Sequence, residues 1–196
     1  MGDKVARARI AVFGDAHIPD RAVEIPSEIL RWFSERRPFD IAIYTGDLTG
    51  REVLEFIKSL APRRYVVAGN MDWLDLPEYE IVDLWGVKIG VVHGDQVYPR
   101  GNIPKLTKLA RKLGVNVLIS GHTHDPFIAV YEGIIHLNPG SITGVPSGGG
   151  GSLIPSLMYV ELDDNHNLYV ELYELREGVL EKSRVERFRV VPLQTS

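Results

Sequence analysis

The chain has 196 residues, enough for one well-packed α/β domain and short for two. Its 44% hydrophobic and 24% charged residues are ordinary globular usage, and a net charge of −4 creates no field that would favour nucleic acid or an anionic membrane. Cysteine is absent, which excludes disulfides and thiolate ligands, so any metal must be held by His, Asp, Glu or amide groups.

Residues 1–9 carry Lys4, Arg7 and Arg9, and the apolar run after them, 10–13, is too short for a signal-peptide core. No stretch approaches the roughly 20 apolar residues of a membrane span, and the expected compartment is the cytoplasm. A first strand is predicted over 8–13. The helix after it, 26–36, places Ile29, Leu30, Trp32 and Phe33 on one side and has Pro26 at its start. A second strand over 40–45 leads to a helix over 51–60, where Val53, Leu54, Phe56, Ile57 and Leu60 recur and Pro62 stops the pattern. The third strand spans 64–68. Residues 78–84 and 87–92 form a hairpin turning at Trp85-Gly86. Helix 103–113 repeats Leu106, Leu109, Ala110 and Leu113 and ends at Gly114, and strand 116–120 comes next. The runs 8–13, 40–45, 64–68, 87–92 and 116–120 are continuously apolar, which predicts strands buried on both faces. Arg36-Arg37 and Arg63-Arg64 fall between helix and strand and read as solvated surface.

After residue 125 the pattern changes to strands without helices, at 127–131, 134–137, 157–162, 168–175 and 185–191, with turns at Glu132-Gly133 and 163–165. The first two thirds predict a right-handed α/β sheet built on parallel strands. The last third predicts antiparallel β, most simply a second sheet packed on the first. Residues 147–152, Ser-Gly-Gly-Gly-Gly-Ser, form a flexible loop by composition inside a single domain over 1–196.

The chemistry is concentrated in the loops at the strand ends. They read Gly14-Asp15-Ala16-His17, Gly46-Asp47, Gly69-Asn70-Met71-Asp72, His93-Gly94-Asp95 and Gly121-His122-Thr123-His124. If most of the strands run parallel, these loops gather at the carboxyl edge of the sheet, where open α/β sheets bind ligands. Taken singly, a Gly-Asp is usually a turn and a histidine usually structural; His136 and His166 are read in that way. Taken together, Asp15, His17, Asp47, Asn70, His93, His122 and His124 are too many donors for one tetrahedral ion. They suit two ions about 3.5–4 Å apart that share a carboxylate. Asp47 fits the bridge, being the single carboxylate of its loop. Imidazole among oxygen donors favours transition metals such as Mn, Fe, Zn or Ni.

The series Asp-x-His, Gly-Asp, Gly-Asn-x-Asp, His-Gly and Gly-His-x-His resembles the calcineurin-like metallophosphoesterase superfamily, in its small bacterial and archaeal branch. The stretches 14–19, 93–97, 119–124, 138–144 and 154–156 are also similar to the metallophosphoesterase-fold subunit of retromer. The resemblance implies an α/β fold, a four-layer α/β/β/α sandwich with two mixed β-sheets and a dimetal site at the strand C-terminal edge. By that pattern Asp15, His17 and His124 hold one ion, Asn70, His93 and His122 the other, and Asp47 bridges. Manganese is the expected metal, with nickel, iron or zinc as alternatives. The expected reaction is hydrolysis of a phosphate ester, a diester or an activated monoester, by a metal-bridging hydroxide. Asn70 and His93 would hold phosphoryl oxygens. Asp72 either orients a site residue or is a solvent-exposed turn carboxylate. The partner is then a small-molecule phosphate ester; a homo-oligomer stays open. Two departures bear on this. Met71 stands where many members have a histidine that protonates the leaving group. The retromer subunit acts as a protein-binding scaffold and departs from the enzyme pattern at the bridging Asp and the metal-binding Asn, both of which this chain retains. A scaffold with a vestigial or structural metal, or a regulatory metal- or nucleotide-binding module, are the alternatives.

Overall fold

A computed structural model describes residues 5–192; Lys4 lies outside the described residues. In chain order the elements are β1 (Arg7–Phe13), α1 (Ser27–Arg36), β2 (Ile41–Tyr44), α2 (Arg51–Leu60), β3 (Arg63–Val66), β4 (Tyr79–Leu84), β5 (Val87–Val92), α3 (Ile103–Leu113), β6 (Val117–Ser120), β7 (Phe127–Tyr131), β8 (Ile134–Asn138), β9 (Ser156–Asp163), β10 (Asn167–Arg176) and β11 (Val179–Arg189). They form a six-stranded sheet in the order β11-β10-β9-β1-β2-β3 and a five-stranded sheet in the order β4-β5-β6-β8-β7.

The period-2 alternation of side chains builds the layers. In β1, Ile10 and Val12 face the second sheet, where they pack with Ile41, Ile43, Ile89, Val117 and Ile119. Ala11 and Phe13 face the other way, onto Ile29 and Phe33 of α1 and Ile57 of α2. On the far side, Leu106 and Ala110 of α3 cover Leu118 and Ile134 of the second sheet. The result is the expected four-layer α/β/β/α sandwich. It also explains why the central strands are continuously apolar: both faces are covered. Each fully buried aliphatic side chain contributes about 1.5–3 kcal/mol. Helix α3 is closed at both ends, by the Asn102 side chain accepting from Lys105 N at 3.0 Å and by Gly114 at φ 66°. The hairpin β4–β5 turns on Trp85 and Gly86, both at positive φ, as a two-residue connection between twisted strands requires.

Four expectations are corrected. The strands after residue 125 do not make a sheet of their own. β8 adds to β6 in parallel and β7 pairs antiparallel with β8, while β9 adds antiparallel to β1 and is followed by β10 and β11. Both recruiting strands would otherwise leave unpaired edges, and pairing them removes that liability. β3 is an edge strand, with Arg63 and Arg64 exposed rather than buried on both faces. Residues 147–152 are tied down: Ser147 and Gly150 exchange backbone hydrogen bonds, and Ser152 N donates to His124 O. Arg36 is no solvated surface charge. Its guanidinium lies 5.4, 5.0 and 5.3 Å from the ring centres of Trp32, Tyr159 and Tyr173, and Nη1 is 3.2 Å from Glu171 Oε2.

Glu171 is 3% exposed and bears on acid stability. Burial alone would raise its pKa, but hydrogen bonds from Lys182, Tyr169 and Tyr173 and the Arg36 charge hold it at about 2, against an ordinary 4.5. A lowered folded pKa contributes stability that is present above pH 4.5 and lost as the pH falls through 2. Allowing for screening at the part-exposed Lys182, this amounts to about 2 kcal/mol. In urea melts between pH 5 and pH 2, Glu171→Gln should lose about 2 kcal/mol less stability than the parent chain. Equal losses would remove Glu171 from the acid response.

Candidate metal centre

The C-terminal ends of β1, β2, β5 and β6 converge at one edge of the sandwich, together with the loop after β3. They bring all seven candidate donors together. Asp15, His17, Asp47 and His124 each offer a ligand atom within 4.8 Å of the others, and all four are buried. His93 and His122 adjoin this group, with His122 Nδ1 3.0 Å from His93 Nε2. Asn70 joins them through Oδ1, 3.1 Å from His93 Nε2. Asp47 stands between the two groups. Its Oδ2 is 3.3 Å from His17 Nε2 and 3.4 Å from His93 Nε2, while its Oδ1 accepts from Met71 N at 2.8 Å.

The local backbone is unusual. Asp15, His17, Asp47, His122 and His124 all have φ between 49° and 67°. Asp, Asn and His are the non-glycine residues that best tolerate this left-handed region, and clusters of such strain mark functional sites. Surrounding bonds hold the conformation. The Ala16 N–H donates to the Tyr44 hydroxyl at 3.0 Å, Ser141 Oγ donates to Asp15 O at 2.7 Å, and Thr143 Oγ1 donates to Ala16 O at 2.9 Å. At Gly69 a Cβ would lie 2.1 Å from Asp47 Oδ1, and at Gly121 one would lie 2.5 Å from Asp15 Oδ2, so only glycine lets these loops close on the carboxylates.

The donor set fits a cation. His93 Nδ1 donates to Thr45 O at 2.8 Å and His124 Nδ1 to Val145 O at 2.6 Å, which turns both Nε2 atoms into the site. There His124 Nε2 meets His17 Nε2 at 3.2 Å, and His93 Nε2 meets His122 Nδ1 at 3.0 Å. Neutral imidazole lone pairs facing each other at such distances need a proton or a metal ion between them. The titration behaviour agrees. Burial lowers His17 and His122 to about 4, outweighing the attraction of Asp15 and, at His17, of Asp47. His93 is pulled down by burial too, but its hydrogen bond to Asp47 and the charge of Asp15 raise it to about 9. Burial would raise Asp47, but the hydrogen bond and charge of His93, with the Met71 N–H and His17, hold it at about 2. In the metal-free chain, a proton on His93 stands where a cation would balance the carboxylates. That proton's contribution to stability is full below pH 6.5 and is lost as the pH rises through 9.

Asp72 is not a solvent-exposed turn carboxylate. It accepts from Asp47 N at 2.8 Å, Gly69 N at 2.9 Å and Thr49 N at 2.9 Å, and so fixes the loop that presents Asp47. Burial raises its pKa against these bonds. Met71 is 40% exposed and lines the mouth. His136 is buried against Thr107 Oγ1 at 2.8 Å, and His166 is half-buried with Nε2 3.0 Å from Trp85 O; both are away from the site. The cleft over the donors has a volume of about 220 Å³. Two of its lining residues, Arg21 and Arg100, were not among the sequence candidates, because a lone arginine in a loop carries no local signal. Ser141 and Thr143 lie in the motif stretch 138–144, which pointed to the region without indicating their bonds to the Asp15–Ala16 carbonyls.

Comparison with known proteins gives a consistent result. The family model for the calcineurin-like phosphoesterase superfamily domain matches residues 9–165. The chain is 49% identical over 134 residues to a "probable metallophosphoesterase" of Methanocaldococcus jannaschii, covering 68% of each chain. Among solved structures it is similar to vacuolar protein sorting 29 from Cryptosporidium parvum, with a TM-score of 0.87 at 29% identity over 93% of this chain and 98% of that one. It is also similar to Vps29 from Entamoeba histolytica in complex with zinc, with a TM-score of 0.82 at 35% identity over 92% and 98% of the two chains.

Proposed function

Because this chain belongs to the calcineurin-like phosphoesterase superfamily, we propose that it hydrolyses phosphate esters, phosphodiesters in particular, with two divalent metal ions at the β-strand edge. The observation that carries this reading is the position of Asp47 Oδ2 between His17 and His93, at 3.3 and 3.4 Å. Asp15, His17, His124 and Asp47 would hold one ion; Asn70, His93, His122 and Asp47 would hold the other. When bound, such a pair supplies Lewis-acid polarisation of a phosphoryl oxygen and a water acidified toward neutral pH. The chain supplies the rest. Backbone bonds from the outer nitrogens of His93 and His124 fix which ring nitrogen faces the site. Asn70 is exposed at the rim, where its amide can donate to a phosphoryl oxygen, and Asp72 keeps Asp47 in place. Met71 offers no proton to a departing oxygen. We assign manganese as the working metal; nickel, iron and zinc suit the same nitrogen and oxygen donors.

The likeness to Vps29 supports a second reading, a protein-binding scaffold. The complete donor set, with both Asp47 and Asn70 in place, favours the enzyme.

Reconstitution tests the proposal. After chelation and dialysis against Mn, Ni or Zn, elemental analysis should give two ions per chain, and bis(4-nitrophenyl) phosphate should be hydrolysed only by the loaded protein. Loading must expel the His93 proton, so affinity should climb by about tenfold per pH unit up to about pH 9. Zero stoichiometry under excess metal would sink the two-ion assignment, and full loading without turnover would favour the scaffold.

A further inference from the structure

Two cations at the mouth of the cleft are unaccounted for by the chemistry above. Arg21 lies in the turn after His17, and Arg100 in the loop between β5 and α3. Both line the cleft over the donor residues. Among the described residues each guanidinium has one hydrogen bond, to a backbone carbonyl: Arg21 Nη1 to Pro146 O at 3.0 Å and Arg100 Nη1 to His122 O at 3.3 Å. Neither pairs with a carboxylate there. A guanidinium has five donors, so four on each remain open. The segment 146–148 lies beside both: Pro146 O accepts from Arg21, and Arg100 passes close over Gly148, where a Cβ would lie 2.8 Å from Nη2. The charge balance is lopsided. Two divalent ions would meet only two carboxylates in the donor set, Asp15 and Asp47, and the arginines add two more positive charges at the entrance. A simple phosphodiester brings one negative charge. Planar guanidinium forks suit phosphoryl oxygens and bind them in pairs.

We propose that Arg21 and Arg100 form a second phosphate subsite, and that the substrate carries a further phosphoryl group next to the scissile one, as in a phosphoanhydride or a nucleoside diphosphate ester. This rests on the metallophosphoesterase reading of the same cleft. The probes are methylphosphonate and methylenediphosphonate, which carry one and two phosphoryl groups and contain no linkage that the enzyme can hydrolyse. Calorimetry on the manganese-loaded chain, with metal content checked after each titration, should show methylenediphosphonate binding at least about 30-fold more tightly. Arg21→Ala and Arg100→Ala should each cut that preference about tenfold while leaving methylphosphonate affinity within about threefold. Arg100→Lys should restore part of it. Equal affinity for the two probes in the parent chain, or an unchanged preference in both folded, metal-loaded alanine variants, overturns the subsite while leaving metal-dependent binding of methylphosphonate intact. Failure of both probes to bind a chain that takes up no metal overturns the subsite and the phosphoesterase reading together.

Discussion

Asp47→Ala should take the chain from two bound ions to none under conditions that saturate the parent, and should reduce hydrolysis of an activated phosphodiester by about 10³-fold or more. On the proposed reading, the substitution removes a ligand from both ions at once, because one oxygen faces His17 and His93 together. It also removes one of two carboxylates that would screen two cations from each other, and that repulsion is steep at short range in a dry site. Loss of fold is a competing explanation, since Asp47 sits at φ 55° and its Oδ1 holds Met71 N at 2.8 Å. Asp47→Asn separates the two. Asparagine tolerates the left-handed conformation and can still accept from Met71, but carries no charge. A chain with Asp47→Asn that folds like the parent by near-ultraviolet circular dichroism yet fails to retain two ions assigns the effect to the missing carboxylate. Two ions retained by either variant would rule out the bridge.

Met71→His should raise turnover of poor substrates by about 10²-fold and leave good ones nearly unchanged. On the proposed reading, with no proton donor at this position the leaving oxygen would depart as an anion, and the rate would depend on the acidity of the parent alcohol. The position is suited to the test. Met71 lines the cleft and is 40% exposed, while its backbone N–H, which holds Asp47, is unaffected by a side-chain change. Across phenyl phosphodiesters of graded phenol pKa, the plot of log rate against pKa should flatten in the variant. An unchanged slope, in a folded chain with full metal content, would show that Met71 stands beside the reaction without limiting it.

Element identity was readable wherever local chemistry acts alone. The hairpin at Trp85-Gly86, the stop of α3 at Gly114 and the ends of β5 fell where turn geometry and periodicity put them. β11 was expected at 185–191 and runs over Val179–Arg189, because Glu181, Lys182 and Arg184 on an exposed edge strand break the apolar pattern that marks a strand. Sheet membership was not readable. Which edge β7, β8 and β9 would join depends on contacts far apart in sequence. At the site, the seven donor types were visible because each lies within four residues of a strand's end. The left-handed backbone of five of them was not; at Asp15 and His17 it is held by bonds from Tyr44, Ser141 and Thr143 on other elements to Asp15 and Ala16. Asp72 was ambiguous for a related reason: its three N–H partners come from two loops brought together only by the fold.

The place of β1 constrains the order of events as the chain is made. All seven donors have been synthesised by residue 124, yet β1, which presents Asp15 and His17, pairs on one side with β2 and on the other with β9, Ser156–Asp163. The hydroxyls that seize the carbonyls of Asp15 and Ala16 also arrive late, at Ser141 and Thr143. A growing chain that already contains every donor therefore lacks two of the clamps on the loop that carries the first two. On the two-ion reading, the full set of contacts around Asp15 and His17 is available only once the chain has reached β9.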